Sequence, residues 1–452
     1  MRKFVFALAV AACGNSGGSS NTPADASSQM ADASHDAATS ATRDAGPMGT
    51  VKVIVSLYNV PIATATVIFS DTSGHMISTQ QTGVDGVAMA TVPVGSTVTC
   101  ELTQSVPGGV SHLLESIYDV QAGDVLGCGM PGTMASAGTG DGSVTVTFPG
   151  AFTGANNYSI NLGGCQGGNT SATTATATLL SSCVSSTANT YDVLAIANGT
   201  GGAMLAYSTD LGLAPPGAGN TASVTVPSWR TDFLTHHIAI SNAPANATVA
   251  SNFSLFHDSA YWNIDSVTLT TNASGGANLA FPFPASLGTT ANYQVTVSYP
   301  TSAGATANQG YDVNEPLSAL VDESLDLSTL PQLLTRDAYV PVGQTTPMLS
   351  WAAAGSLAGT TGGAFQLQWS TTGASWTWYG AVPPTATSIQ LPQLPDTLAG
   401  DRVQPGQAFD GAGVGFVQGT MFASPADFRA NVDRVVSPPS NGTYAERLTI
   451  IH

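Results

Sequence analysis

The amino-acid sequence predicts an all-β protein, several tandem antiparallel β-sandwich domains behind a disordered N-terminal linker. Three observations predict it. Apolar residues alternate with polar ones in short runs, broken by Gly, Pro, Asn and Asp at a spacing of about ten residues, the pattern of half-buried strands. Only 8% of the 452 residues are charged, and Gly, Ala, Ser and Thr dominate over the helix formers Lys, Glu, Gln and Arg. That mixture favours strands and turns over long helices. Residues 14–49 carry almost no large apolar side chain, so they cannot offset the entropy of folding.

The chain begins with two cations, Arg2 and Lys3, followed by an apolar run over residues 4–12 and then Cys13. This is the order of an export signal. The run is too short for a hydrocarbon core that needs about 20 helical residues, so residues 1–12 are expected to be removed. The junction Val10-Ala11-Ala12-Cys13, followed by Gly14, resembles the lipobox of bacterial lipoproteins. The resemblance implies that the Cys13 thiol is lipidated, palmitate included, and that the partner is a membrane reached through that anchor. Gly14, in place of the Asp used for inner-membrane retention, implies the outer membrane of a bacterial cell envelope. The alternative is a plain secreted protein with Cys13 as a spare thiol. Residues 13–49 then form a tether with a coil span of about 30 to 35 Å.

From residue 50 the alternation starts: Val51, Val53 and Val55 face one way and Lys52, Ile54 and Ser56 the other. Strands follow over 67–69, 76–82, 90–92 and 97–102. Pro61 to Val67, Gly74, the turn from Thr82 to Gly86, and the corner Val92-Pro93-Val94-Gly95 resemble carboxypeptidase-regulatory-like, or transthyretin-like, modules with an Ig-like sandwich. That resemblance assigns 50–128 to such a module, a spacer or binding unit and not a catalyst. Residues 129–142, rich in Gly, Ala and Ser, read as a linker.

Between 143 and 340 alternating runs recur at 143–148, 158–162, 172–180, 191–196, 203–208, 222–226, 233–241, 253–256, 266–271, 278–283 and 293–299. They are too many for one seven-stranded sandwich, so 143–340 holds one or two domains, with a break expected near 242–250. Residues 315–334 are the single stretch expected to be helical or an irregular packed connector, Pro316 suiting a first turn. From 346 to 452 the strands 348–351, 365–369, 376–379, 388–392, 415–421 and 447–451 form a last unit. Pro347 ahead of Leu349-Ser350-Trp351, the alternation Phe365-x-Leu367-x-Trp369, and the segment from Leu391 to Pro395 resemble a fibronectin type III repeat.

The formal charge of −18 excludes nucleic acid as a partner, because phosphate binding depends on Lys and Arg. Residues 53–229 contain neither Lys nor Arg. Burial, strand ladders and cross-links must therefore hold that half together. With Cys13 assigned to lipid, Cys100, Cys128, Cys165 and Cys183 remain, an even number that in an exported chain implies disulfides. Nearest-neighbour pairing would close short loops and stabilise by about 3 kcal/mol each, although three connectivities remain open. The absence of a C-x-x-C pair argues against zinc held by these thiols.

Lys52 is the only lysine outside the export signal, so no Walker loop exists, and neither does an H-E-x-x-H helix. No catalytic residue, metal ligand or cofactor is assigned. His236, His237 and His257, with Asp258 and Asp265, form the densest ligand-type cluster, yet adjacent strand positions face opposite ways. Asp312, Glu315, Asp322, Glu323 and Asp326 could offer oxygens to Ca²⁺ but lack the loop spacing. Trp351, Trp369, Trp376 and Trp378 are either core residues or sugar-stacking platforms. Two functional expectations follow. The first is a non-enzymatic, adhesin-like surface lipoprotein that presents a binding or scaffolding surface to an unknown protein or glycan. The second is a secreted hydrolase or carbohydrate-binding protein with the sandwiches as accessory modules.

Overall fold

The computed structural model describes residues 47–57, 60–106, 109–130, 142–163, 165–180, 183–185, 188–257, 260–288, 290–300, 307–329, 331–342, 344–406, 408–436 and 443–451. They are nearly all β, with two short helices. The first sandwich comprises β1 (Met48–Leu57), β2 (Val60–Pro61), β3 (Thr66–Ser70), β4 (Met76–Gln81), β5 (Val87–Pro93), β6 (Ser96–Val106), β7 (Gly109–Val120) and β8 (Val125–Met130). The second has β9 (Ser143–Thr147), β10 (Asn157–Leu162), β11 (Cys165–Thr170), β12 (Thr174–Thr178), β13 (Tyr191–Asn198), β14 (Met204–Leu213) and β15 (Thr221–Thr225). The third has β16 (Phe233–Ser241), β17 (Thr248–His257), β18 (Ala260–Thr270), β19 (Ala277–Pro284), β20 (Ala291–Pro300), β21 (Ala307–Pro316) and β22 (Glu323–Asp326).

These three share one topology. The first strand lies between an antiparallel neighbour and the last strand, which runs parallel to it, as in β5-β1-β8, β12-β9-β15 and β19-β16-β22. Each opposing sheet has four strands, β4-β3-β6-β7, β11-β10-β13-β14 and β18-β17-β20-β21. The strands between 143 and 340 therefore build two sandwiches and contribute β23 to a further one. The changeover falls at 227–232, and the break expected near 242–250 is instead the loop 242–247 joining β16 to the start of β17 within the third. Asn242 and Asn246 turn that loop with φ of 60° and 58°, a conformation Asn tolerates better than most residues. The stretch 315–334, expected to be helical or an irregular packed connector, has no α-helix among its described residues: it runs from the end of β21 through the 3₁₀ turns Leu317–Ala319 and Leu327–Thr329 on either side of β22, and into β23.

The fourth sandwich has a different order. It comprises β23 (Gln332–Tyr339), β24 (Met348–Ala354), β25 (Gly362–Thr371), β26 (Ala374–Val382), β27 (Ser388–Gln390), β28 (Gly411–Gly419) and β29 (Tyr444–Ile451), with helices α1 (Pro425–Ala430) and α2 (Asp433–Val436) before the last strand. One sheet is β23-β24-β27 and the other β29-β28-β25-β26.

Three four-stranded sheets do not end at their own edges. β26 pairs in parallel with β7, from Ala374 opposite Val110 to Ala381 opposite Ile117. β29 pairs antiparallel with β21, from Tyr444 opposite Asn314 to Ile451 opposite Ala307. The product is one twelve-stranded sheet in which the fourth sandwich is wedged between the first and the third. Strand edges are otherwise open templates for pairing with other chains, and here two pairs of edges satisfy each other.

Burial follows the ladder. Along β7, Leu113, Ile117 and Val120 enter the core of the first sandwich, whereas Leu114 on the opposite face joins Trp369, Trp378 and Leu367 in the core of the fourth. The fourth returns Tyr379, Ala381, Phe422, Phe428 and Val432 to the first core. The second sandwich attaches differently. On β13, Val193, Ala195 and Ala197 fill its own core, while Leu194 and Ile196 join the core of the third with Met204 and Tyr207. Burying such a side chain stabilises by about 1.5 to 3 kcal/mol.

Candidate functional site

Cys13 lies outside the described residues. Cys100 and Cys128 form a disulfide with Cα atoms 6.4 Å apart, tying β6 to β8 inside the first core. Cys183 is also disulfide-bonded. Cys165 opens β11, and its side chain is outside the described residues.

The three histidines do not converge. His236 is buried between Phe281 and Tyr293, and that burial pushes its pKa down. His237 faces the other way, 3.0 Å from Asp322. His257 meets Asp192 of the second sandwich at 2.7 Å. Asp258 and the Asp265 side chain lie outside the described residues. Of the acidic run, Glu315 and Glu323 come near enough for the Glu315 charge to add to the burial that raises the Glu323 pKa, while the others are engaged elsewhere. Asp312 and Glu315 sit on β21, Asp322 serves His237, and Asp326 accepts hydrogen bonds from Asn242 and Ser328 that hold its pKa down at about 2. Trp351, Trp369, Trp376 and Trp378 are all buried, at 7% exposure or less. Their faces are covered by one another and by core residues, which leaves no sugar-stacking platform among the four.

The polar chemistry gathers where the sandwiches fuse. At the β7–β26 seam Glu115 is buried opposite Tyr379. The Tyr379 hydroxyl is 2.8 Å from Glu115 Oε2 and 2.9 Å from the Gly129 carbonyl, and the Gly129 N–H donates to Glu115 Oε2 at 2.6 Å. Tyr379 has one proton for two acceptors, so a protonated Glu115 completes the set. Burial pushes the Glu115 pKa up to about 8, in accord with that. Gly129 is required here: its φ is 118°, and a Cβ would lie 1.9 Å from the Ser56 carbonyl oxygen.

On the other face of the same seam, β6 offers Glu101 and β7 offers His112, and the 3₁₀ turn Asp396–Asp401 of the fourth sandwich brings Asp401 over them. His112 Nδ1 is 3.0 Å from Asp401 and 3.9 Å from Glu101. The Trp376 indole N–H donates to Asp401 at 2.9 Å, and its ring stacks on His112 at 5.1 Å. Thr103 donates to Glu101. Burial raises the Glu101 pKa, and the nearby Asp401 charge adds to that. Among the described residues these three side chains form the group with metal-ligand proximity. At the seam's edge, Arg429 of α1 reaches Asp124 at 3.1 Å, supplying from the C-terminal half a cation that residues 53–229 lack.

At the β21–β29 seam Asp312 lies opposite Glu446. Burial, reinforced by Asp312, pushes the Glu446 pKa up to about 7. Both line a cavity with Thr296, Ser298, Leu448 and Met421. Its volume of about 40 Å³ admits a few waters and is far below the roughly 300 Å³ of a small-molecule pocket. A Ser–His contact exists in the β3–β4 turn, Ser73 Oγ to His75 Nδ1 at 2.9 Å. Ser73 also donates to Asp71 at 2.7 Å, and Asp71 is committed to the backbone N–H groups of Ser73 and His75. This is a turn lock. Among the described residues no helix is long and apolar enough to cross a membrane.

No family model matches the chain, and no curated protein matches it. Solved structures do. The TIE protein of Bacillus anthracis is 12% identical, with 62% of this chain aligned to 49% of that one and a TM-score of 0.15. The chain thus spans about half the length of that protein. BcpA, the major pilin subunit of Bacillus cereus, is 10% identical over 62% of this chain and 99% of its own, with a TM-score of 0.15. A streptococcal ancillary pilin is 7% identical over 55% and 89%, with a TM-score of 0.13. Scores this low carry no argument about how the sandwiches are arranged or what they bind.

Proposed function

We propose that the chain is a surface lipoprotein of the bacterial envelope, held by a lipid on Cys13, spaced from the membrane by residues 14–49, and acting as a non-enzymatic, adhesin-like binding or scaffolding protein. The observation that carries this reading is where the chemistry sits. Glu101, His112, Glu115, Tyr379, Asp401 and Glu446 are placed inside the joints between sandwiches, where they fix domain orientation, and the cavity beside Glu446 is far below substrate size. The fused sheet supports the same reading, since it holds three sandwiches as one stiff body, as a protein that presents a surface at a distance requires. The transthyretin-like and fibronectin-like resemblances fit spacer and binding modules. Labelling with radioactive palmitate tests the anchor: the chain is expected to take up label and Cys13→Ala to lose both label and membrane fractionation. A glycan and peptide hydrolysis panel is expected to show no turnover. Turnover by the purified chain, or membrane association unchanged in Cys13→Ala, would contradict the proposal.

A further inference from the structure

Glu101 and Asp401 are 7% and 6% exposed, and they face the same His112 nitrogen from two different sandwiches. Two carboxyl groups and one imidazole gathered in a buried place are donor groups whose charge is costly to leave uncompensated. No Lys or Arg occurs between residues 53 and 229 to supply the missing charge. Arg402, next to Asp401 in the chain, is turned away, donating to the Leu394 carbonyl at 2.6 Å and to Asp396 at 2.7 Å.

We propose that Glu101, His112 and Asp401 form a divalent-cation site, matched to Zn²⁺, that clamps the first sandwich to the fourth. One imidazole nitrogen and two carboxylate oxygens are a donor set Zn²⁺ accepts, with bonds near 2.0 to 2.2 Å and ligand atoms about 3.3 Å apart in a tetrahedron. The three donor atoms already lie within 4.8 Å of one another, so small side-chain rotations bring them to that spacing. Ca²⁺ asks for six or more oxygens, which this cluster does not offer. Trp376 completes the arrangement from outside. Its N–H fixes Asp401 and its ring fixes the imidazole plane, the kind of outer contact that orients metal ligands. The site does not depend on the lipid anchor, and it adds a cross-domain tie to the β7–β26 ladder.

The test uses the full chain, stripped with chelator and titrated separately with Zn²⁺, Mn²⁺ and Ca²⁺ by calorimetry, with metal content counted after dialysis. One Zn²⁺ per chain is expected, bound more tightly than Mn²⁺ or Ca²⁺, with a rise in the thermal transition and a change in tryptophan emission. Glu101→Gln, His112→Gln and Asp401→Asn should each weaken uptake at least tenfold and cancel the thermal shift. Trp376→Phe keeps all three ligands and should weaken uptake about tenfold, so the proposal stays testable where a ligand variant misfolds. His237→Gln, at the exposed pair with Asp322, should leave uptake unchanged. Less than one Zn²⁺ per chain, uptake indifferent to all three ligand variants, or a preference for Ca²⁺ would overturn it.

Discussion

β7, β14 and β21 occupy the same place in three sandwiches of one topology, the outer strand of the four-stranded sheet. β7 and β21 each receive an edge strand of the fourth sandwich, whereas β14 pairs with β13 and otherwise makes one isolated bridge, Tyr207 with Arg230. The second sandwich is joined by side chains instead: Leu194 and Ile196 packed into its neighbour, and His257 against Asp192. A ladder joint commits backbone groups along eight paired positions and buries both faces of the strand. A side-chain joint rests on a few contacts that can be removed singly. The comparison teaches that equivalent edges within one chain can be made structural or left available, according to what packs beside them.

The sharpest way to break the contrast is to push on each edge with a side chain. A Cβ at Gly380 would lie 1.7 Å from the Ser116 carbonyl oxygen across the seam. Gly380→Val should therefore cost about 3 kcal/mol or more, seen as a lowered denaturant midpoint and a separated first transition. Gly212→Ala on β14 meets nothing within 4 Å but has a φ of 70°, so its cost should stay near 1 kcal/mol. Next in size is the disulfide. Replacing Cys100 and Cys128 together by Ala should remove about 3 to 4 kcal/mol for a separation of 28 residues, read by chemical denaturation.

The third prediction concerns pH. Glu115 and Glu446, with folded values raised to about 8 and about 7, keep protons the unfolded chain has lost. The seams are thus most stable below the unfolded carboxylate value of 4.5 and lose that contribution as pH rises through 7 to 8. Thermal transitions should fall between pH 5 and pH 8.5, and Glu115→Gln should flatten much of the slope. A slope unaffected by Glu115→Gln would remove the protonated Glu115 from the account. The fourth is smaller: Arg429→Ala, which leaves Asp124 partly buried without its cation, should cost about 1 to 3 kcal/mol. Arg230→Ala removes a pair exposed on both sides and should leave the transition within error, because solvent screens it.

Period-two alternation made β1, β9, β16, β17 and β20 legible in the sequence, because one face of each meets a core and the other meets solvent or small side chains. The same reasoning passed over β7 and β21. In β7 the run Leu113-Leu114-Glu115-Ser116-Ile117 is buried throughout, and β21 is buried over residues 311–314. A strand covered on both faces has no polar side to alternate with, so β7 and β21 lack the signal used to find strands, whereas their partners across the seams, β26 and β29, were found at 376–379 and 447–451. Glu115 itself was the available clue, a carboxylate inside an apolar run. Glu101, His112 and Asp401 were illegible as a group because 289 positions separate the latter two, and a seam brings them together. Residues 242–250 read as a boundary because Asn and Pro turn the chain from one sheet of a sandwich to the other as they turn a linker.

Native-state amide hydrogen exchange along residues 110–117 and 374–381 tests the central claim most directly. If the first and fourth sandwiches share one sheet, the amides bonded across that seam exchange as slowly as those between β6 and β7, while outward amides of β14 exchange fast. Rapid exchange at the seam beside a protected β6–β7 ladder would show sandwiches that merely touch, and would contradict the account.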